Sequence, residues 1–172
     1  PRTAGFNSID IGLLNPATLL TLMALKVIGG GSGSTAGGIK VNTLGVLFGL
    51  FRATVQGKER VALFERTISP GTQRNAIVVT FFAMIITTGA TLLILLQDSF
   101  PFLQTIFEAI SAFNTVGLSM GITEQLGAAS KLVLIMLMFM GRVGPVSLVI
   151  ALAQRDQKED YIDYPEEDIL VG

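Results

Sequence analysis

The stretch VIGGGSGSTAGGIKV, at residues 27–41, places small residues between two apolar segments. Residues 29–38 are all Gly, Ser, Thr or Ala. Such a run is compatible with a phosphate-binding loop, a flexible linker, or a break in a helix that crosses a membrane. The sequence on either side of it decides which of these structures it forms.

The composition indicates a membrane protein. Half of the 172 residues are hydrophobic, 15% are charged and the mean hydropathy is +0.62, whereas soluble domains carry roughly 25% charged residues. The net charge of −1 gives no reason to expect a nucleic-acid partner. The absence of Cys and His removes thiol chemistry, disulfides, His metal ligands and His general bases, so we expect no enzyme. Because the chain begins at Pro1 and shows no signal peptide, we interpret it as part of a longer protein.

Three long apolar segments are candidate membrane spans. Residues 75–96 carry no charge, and residues 131–153 carry only Lys131 and Arg142, while a bilayer core of about 30 Å requires roughly 20 apolar residues. Residues 16–51 would form about 54 Å of continuous helix, which is too long for an ordinary span. If residues 29–38 leave the helix, the remaining helical residues span about 39 Å. This length fits a tilted crossing with the glycine-rich loop at membrane depth.

The distribution of positive charge predicts the orientation of these segments. The connector at residues 52–74 holds five Lys or Arg against two Glu, and residues 97–130 hold no Lys or Arg. The positive-inside rule therefore places the connector and the tail from residue 154 in the cytoplasm, and residues 97–130 outside. We expect a multi-pass protein with a cytoplasmic C-terminus.

The outer loop has the pattern of a pore loop. Residues 100–113, FPFLQTIFEAISAF, predict a helix that is too short to span, and NTVGLSMG follows at residues 114–121. A re-entrant pore loop and a helix lying on the membrane surface both fit this segment taken alone.

An internal repeat favours the pore loop. RTAGFN at residues 2–7 parallels NTVGLS at residues 114–119, and the same offset of 112 positions places Gly29 opposite Gly141 and Gly30 opposite Arg142. The chain therefore reads as the end of one helix–pore loop–helix unit followed by a complete second unit. Thr-x-Gly suits a potassium filter, because rings of backbone carbonyls replace the ion's water and glycine permits the dihedral angles that this requires.

Four motifs together resemble the Trk/Ktr/HKT superfamily of potassium transporters, most closely the KtrB-type membrane subunits of bacteria. They are TAGFN at residues 3–7, GGGSGSTAGGIK at 29–40, FNTVGLS at 113–119 and GRVGP at 141–145. The resemblance implies an all-α membrane protein with four helix–pore loop–helix repeats of the potassium-channel-like type, whose re-entrant pore loops surround one pore. It implies potassium uptake by a pore-forming subunit in the bacterial plasma membrane.

The resemblance also divides the chain into four parts. Residues 1–57 are the filter strand and broken inner helix of the third repeat, 58–74 a cytoplasmic connector, 75–153 the complete fourth repeat and 154–172 a cytoplasmic tail. Within the fourth repeat, the outer helix is expected at 75–97, the pore helix at 101–113, the filter at 114–121 and the inner helix at 131–153. The missing N-terminal half of the same protein would complete the pore.

The residues of the filter and of a gate follow from the same resemblance. Potassium would bind the backbone carbonyls of two filter segments, formed by Thr3, Ala4, Gly5 and Phe6 and by Thr115, Val116, Gly117 and Leu118. The gate would be the loop of Gly29, Gly30, Gly31, Ser32, Gly33, Ser34, Thr35, Ala36, Gly37 and Gly38, with Arg142 beside it. A buried arginine costs free energy in a membrane and would repel cations, although Arg142 can alternatively fasten helices together.

Other interpretations of the glycine-rich loop are weaker. Gly33 and Gly38 have the spacing of a P-loop, but Ile39 stands where that motif requires Lys. Residues 31–36 match a loose dinucleotide-binding pattern without the acidic residue expected about 20 positions later. An engineered Gly/Ser linker is the third alternative, and the repeat offset and the apolar flanks argue against it.

Several polar residues outside these motifs have two interpretations each. Lys40 lines an inner vestibule or, as we prefer, extends to the cytoplasm, and Glu108 accepts backbone hydrogen bonds behind the filter in preference to binding an ion. Asn7 and Asn114 brace the filters or widen the ion site. Asp10 and Asp98 attract cations at the outer mouth or are ordinary solvated acids. The acidic tail at residues 154–172 either docks a cytoplasmic regulator or is simply solvated.

The resemblance implies partners as well. They are the lipid bilayer, a second copy of the chain in a homodimer, and a cytoplasmic ring of KtrA-like regulatory subunits, on which ATP, ADP or NAD would act. No organic cofactor is expected on this chain. Ktr systems are commonly activated by sodium, although no residue pattern here indicates a sodium site. A membrane scaffold or enzyme with re-entrant loops, and a soluble nucleotide-binding module, are the alternatives from other classes.

Overall fold

The computed structural model describes residues 3–31, 34, 36–58, 60–63 and 66–143. Helices dominate this part of the chain, in agreement with the all-α prediction. The elements are α1 (Pro16–Val27), α2 (Val41–Val55), β1 (Ala62–Leu63), β2 (Arg66–Thr67), α3 (Pro70–Gln97), α4 (Phe102–Phe113) and α5 (Ala128–Val143), with a 3-10 turn at Ile11–Leu13. The antiparallel β1–β2 pair lies within the connector predicted at residues 58–74, with Ala62 opposite Thr67.

Asparagine or serine followed by proline starts two of the helices. The Asn15 side chain accepts from Ala17 N at the start of α1, and the Ser69 side chain accepts from Thr72 N at the start of α3. Helix α3 therefore begins at Pro70 and not at residue 75, because the capping residues extend the helix beyond its uncharged part. In the described residues, α3 is the one helix long and apolar enough to cross a membrane, and its 28 residues give about 42 Å of helix.

The glycine-rich stretch interrupts a helix, as the sequence predicts. Helix α1 ends at Val27 and α2 begins at Val41, and the segment between them returns to its starting point. Ile28 and Ile39 form a parallel bridge in which Gly29 N donates to Ile39 O at 2.6 Å, and Val41 N donates to Gly30 O at 3.1 Å. These hydrogen bonds join the two ends of the glycine-rich segment between the end of α1 and the start of α2.

Helix α4 is the most enclosed element. One of its faces packs in a cluster with α3 and α5 that includes Ile94, Phe113 and Leu137, and the other packs in a second cluster with α1 that includes Phe107 and Leu19. Many large apolar side chains on α3 and α5 are exposed, among them Phe81, Met84, Ile85, Leu92, Ile135, Met136 and Phe139. An apolar exterior around a buried helix suits contact with lipid or with further protein.

The predicted inner helix extends beyond the described residues. Helix α5 begins at Ala128, before the expected start at 131, and it is described to Val143. Residues 144–153 of that predicted helix, the tail at 154–172, and Gly144 and Pro145 of the fourth motif lie outside the described residues.

Candidate functional site

The two Thr-x-Gly loops lie against each other. A methyl group at Gly5 would lie 2.7 Å from the carbonyl oxygen of Gly117, and one at Gly117 would lie 3.1 Å from the Cα of Gly5. Contacts this short leave no room for a side chain at Gly5 and little at Gly117. The segments that the repeat identified thus meet at their glycines, although they are 112 positions apart in the sequence.

The two loops also share an unusual backbone conformation. The φ angle is positive at Thr3 (66°) and Gly5 (65°), and again at Thr115 (50°) and Gly117 (86°). Ala4 and Val116, between them, keep negative φ. Alternating signs of φ turn successive carbonyls toward one side of a chain and successive amides toward the other. Positive φ in a β-branched threonine is rare and costs roughly 1–3 kcal/mol, which is typical of functional sites.

Helix α4 supports the second loop through hydrogen bonds from its last turn. Thr115 N donates to Ala112 O at 3.1 Å and Val116 N donates to Ser111 O at 3.0 Å. The Ser111 hydroxyl donates to Leu118 O at 2.5 Å, so the Leu118 carbonyl is engaged by the helix. The C-terminal end of α4, where the helix dipole is partly negative, therefore lies directly at this loop.

Glu108 supports the chain just beyond the second loop. The residue is 5% exposed, and its Oε1 accepts from Met120 N at 2.7 Å and from the Ser119 hydroxyl at 2.5 Å. Oε2 accepts from the Thr123 hydroxyl at 3.1 Å. The expectation that Glu108 accepts a backbone amide behind this loop is confirmed.

The glycine-rich loop contacts the second Thr-x-Gly loop directly. Gly37 N donates to Thr115 Oγ1 at 2.8 Å, and Gly38 N donates to Gly141 O of α5 at 3.3 Å. Gly38 has a φ of +76° and its Cα faces Asn114 Oδ1, so a Cβ there would overlap the amide oxygen. Positions 37 and 38 favour glycine, because a side chain would push the loop away from Thr115 at the first and from Asn114 at the second.

Lys40 hydrogen-bonds to the glycine-rich loop and does not extend away from it. Its Nζ donates to Ala36 O at 2.7 Å and to Ser34 O at 3.1 Å. The preferred expectation for this residue, extension to the cytoplasm, is therefore wrong. The loop has carbonyls without helical partners, and its return to the start of α2 brings them within reach of the ammonium.

One cavity is lined by parts of both Thr-x-Gly loops and by Arg142, but by no described residue of the glycine-rich loop. Its volume is about 1170 Å³, and its lining includes Gly5, Thr115, Gly117, Asp10 and Arg142. Arg142 follows Gly141, whose carbonyl touches the glycine-rich loop. The structure thus places the two Thr-x-Gly loops and Arg142 around the same space, although Ser32, Gly33 and Thr35 of the expected gate lie outside the described residues.

The remaining polar candidates bind the protein's own backbone. Asn114 Nδ2 donates to Ile110 O at 2.8 Å, and Asn7 Nδ2 donates to Ile9 O at 3.0 Å. Asp10 accepts from Gly12 N at 2.9 Å, and Asp98 accepts from Gly127 N at 3.1 Å. The contacts of both asparagines fit a bracing role.

Sequence reasoning did not identify Ser111 or Lys26. Ser111 carries no local signal, because its bond to Leu118 depends on how the loop turns back on α4. Lys26 does carry a signal, since a lysine in an otherwise apolar helix is expensive to bury and is often functional in membrane proteins. Its side chain is 5% exposed.

Comparison with known proteins identifies similar sequences. Residues 1–163 match the TrkH family, described as a cation transport protein. The chain is 38% identical over 172 residues to the Ktr system potassium uptake protein B of Bacillus subtilis (strain 168), an alignment that covers 100% of this chain and 38% of that protein. It is 39% identical over 171 residues to the protein of the same name from Vibrio alginolyticus, which covers 99% of this chain and 37% of that one.

A third relative is named for two ions. The chain is 41% identical over 177 residues to the potassium/sodium uptake protein NtpJ of Enterococcus hirae, with 100% of this chain and 39% of that protein aligned. The chain therefore spans less than two fifths of the length of these relatives.

Proposed function

Because the chain belongs to the TrkH family of cation transport proteins, we propose that it forms the C-terminal part of a pore for potassium uptake. Its relatives are named as potassium uptake proteins and not as enzymes, which favours transport over a scaffold or a catalyst. The pore-forming unit includes a further part of the same protein, which supplies the other filter segments.

The contact between Gly5 and Gly117, with matching positive φ in both loops, is the observation that carries this proposal. Alternating φ lets several carbonyls of one loop face the same ion path, and the meeting of two such loops supplies oxygens from both sides. Such oxygens replace the hydration shell of potassium without adding fixed charge. The filter segments are Thr3 to Phe6 and Thr115 to Leu118, with Leu118 at the end that Ser111 engages.

The glycine-rich loop acts as the gate of this pore. The hydrogen bond from Gly37 to Thr115 supports this role, because a loop held at one end of the second filter segment would obstruct a passing ion. In the described part of the loop one hydrogen bond joins it to Thr115, and its small residues permit several backbone states, so the obstruction can move. Arg142 lines the cavity next to this loop, where its positive charge raises the barrier for a cation.

The setting of the pore is a bacterial plasma membrane. The exposed apolar faces of α3 and α5 contact lipid or the rest of the protein, and the connector and C-terminal tail are cytoplasmic. Two copies form a homodimer on a cytoplasmic ring of KtrA-like nucleotide-binding subunits. Potassium is the transported ion and sodium acts as an activator.

Substitution of Gly117 by serine in the full-length protein tests the filter. A side chain at φ of +86° and against Gly5 displaces the carbonyls of both loops. A loss of only about 1.4 kcal/mol in the preference for potassium reduces selectivity tenfold. We expect the ratio of potassium to sodium permeability, measured in proteoliposomes, to fall by roughly that factor or more.

Gly57→Ser is the matched control for backbone strain. Gly57 also has positive φ (63°), but open space surrounds it in the connector. This variant is expected to keep the wild-type permeability ratio. An unchanged ratio in Gly117→Ser, with protein inserted normally, would count against the filter.

A further inference from the structure

Lys26 is a buried cation that the proposed pore mechanism does not use. It lies in the last turn of α1, two residues before the chain leaves the helix at Ile28, and it is 5% exposed. Its Nζ is enclosed and has no hydrogen-bond partner among the described residues. The ammonium instead lies 3.1 Å above the centre of the Phe107 ring, an arrangement in which the aromatic face attracts a cation.

The residue after Phe107 supplies the opposite charge. Glu108 is also 5% exposed, and its carboxylate attracts the Lys26 ammonium electrostatically. The three donors to that carboxylate, from Ser119, Met120 and Thr123, are neutral groups. Without Lys26 the carboxylate would keep its hydrogen bonds and lose a cation that attracts it, in surroundings where an uncompensated charge is strongly disfavoured.

This chain alone encloses the Lys26 ammonium. Lys26 packs from α1 onto α4, and the second apolar cluster, with Leu19, Met23 and Phe107, surrounds the contact. Because the ammonium is already covered, a group from elsewhere in the full-length protein does not need to reach it. The opposite charge that attracts the ammonium, Glu108, therefore lies within the same part of the protein.

From this arrangement we infer that Lys26 is a positioning residue for the ion filter. Its ammonium, seated on Phe107, attracts the Glu108 carboxylate, whose hydrogen bonds hold the chain following the second Thr-x-Gly loop. The same contact fixes the end of α1, from which the glycine-rich loop begins. The inference rests on the proposed function, since its effect is read through the filter.

A lysine kept only to fill space would be replaceable by methionine. Methionine has a similar length and is readily accommodated in apolar surroundings, so Lys26→Met removes the charge with little change of shape. If the charge positions Glu108, this variant in the full-length protein lowers the potassium to sodium permeability ratio about threefold or more. Lys26→Arg retains a cation that can lie on an aromatic ring, and it is expected to keep most of the selectivity.

The control is the same substitution at an exposed lysine. Lys131 is exposed at the start of α5, where it donates to Glu124 O at 2.9 Å. Lys131→Met is expected to leave the permeability ratio at the wild-type value. Equal ratios in the Lys26→Met, Lys131→Met and wild-type proteins would overturn the inference.

A double variant separates charge compensation from packing. Glu108→Gln leaves the ammonium unbalanced, whereas Lys26→Met with Glu108→Gln removes both charges together. Interacting residues give non-additive effects, so the double variant is expected to be more selective than the product of the two single losses predicts. Additive losses would contradict the inference. Should Lys26→Met fail to insert, comparison of Glu108→Gln with the double variant decides, and recovery of selectivity in the double supports the pairing.

The outcome for Gly117→Ser, measured in the same assay, identifies which idea fails. If Gly117→Ser reduces selectivity and Lys26→Met does not, the filter stands and only the role of Lys26 is wrong. If neither variant changes selectivity, the filter assignment itself is wrong.

Discussion

Replacing Gly37 by alanine tests the contact between the glycine-rich loop and the filter. A methyl group at this position would lie 2.8 Å from Gly141 O, 2.8 Å from Thr115 Cγ2 and 2.9 Å from Thr115 Oγ1. Two of these neighbours belong to a filter residue held by α4, and the third belongs to the backbone of α5. We expect the methyl group to displace the loop, because Thr115 is bonded to α4 and Gly141 lies within α5.

The cost of this displacement follows from two terms. Forcing a methyl group into a closely packed site costs about 1–3 kcal/mol. Loss of the hydrogen bond from Gly37 N to Thr115 Oγ1 adds about 0.5–1.5 kcal/mol. Together they destabilise the obstructing position by about 2–4 kcal/mol, which shifts the balance between closed and open loop roughly 30- to 1,000-fold toward open.

Potassium uptake into proteoliposomes holding the full-length protein measures this shift. We expect Gly37→Ala to raise the flux, with the potassium to sodium ratio retained because the filter is held by α4. Gly45→Ala is the matched control, since Gly45 lies in α2 with nothing within 4 Å of a Cβ, and wild-type flux is expected. Wild-type flux in Gly37→Ala, at equal protein in the membrane, would refute the idea that this contact holds a gate closed.

Further predictions concern the gate and the support of the filter. Deleting residues 30–37, or replacing Arg142 by alanine, removes part of the barrier and is expected to raise potassium flux; wild-type uptake in both variants would contradict the gate. Ser111→Ala removes the hydroxyl that donates to Leu118 O, so we expect a loss of about 1 kcal/mol in filter stability and a lower permeability ratio, measured beside the wild-type protein. An unchanged ratio in Ser111→Ala would show that this hydrogen bond does not hold the filter.

The sequence predicts the elements of this structure better than their contacts. The repeat relating Thr3 to Thr115 identified two loops that share their positive φ, because Thr-x-Gly is itself a conformational signal. The break at residues 29–38 followed from helix length, since an uninterrupted helix would exceed the bilayer. The start of α3 differs from the prediction because Ser69 caps the helix at a point where its sequence is still polar.

The contacts that organise the site are long-range and have no local pattern. Gly37 and Thr115 are 78 positions apart, and only the folded arrangement brings the glycine-rich loop to the filter segment. Lys40 was misassigned because its partners are backbone carbonyls, which exist at every residue and become available only through the shape of the loop. The position of Lys26 over Phe107 depends on how α1 packs on α4.

The most direct test of the filter is to locate the ion. Diffraction from crystals of the full-length protein grown with thallium, a heavy substitute for potassium, reveals bound ions by anomalous scattering. We predict a peak between the loops, within coordination distance of backbone oxygens from residues 3–5 and 115–117. Absence of a peak there, with thallium bound elsewhere along the pore, would contradict the claim that these two loops coordinate the transported cation.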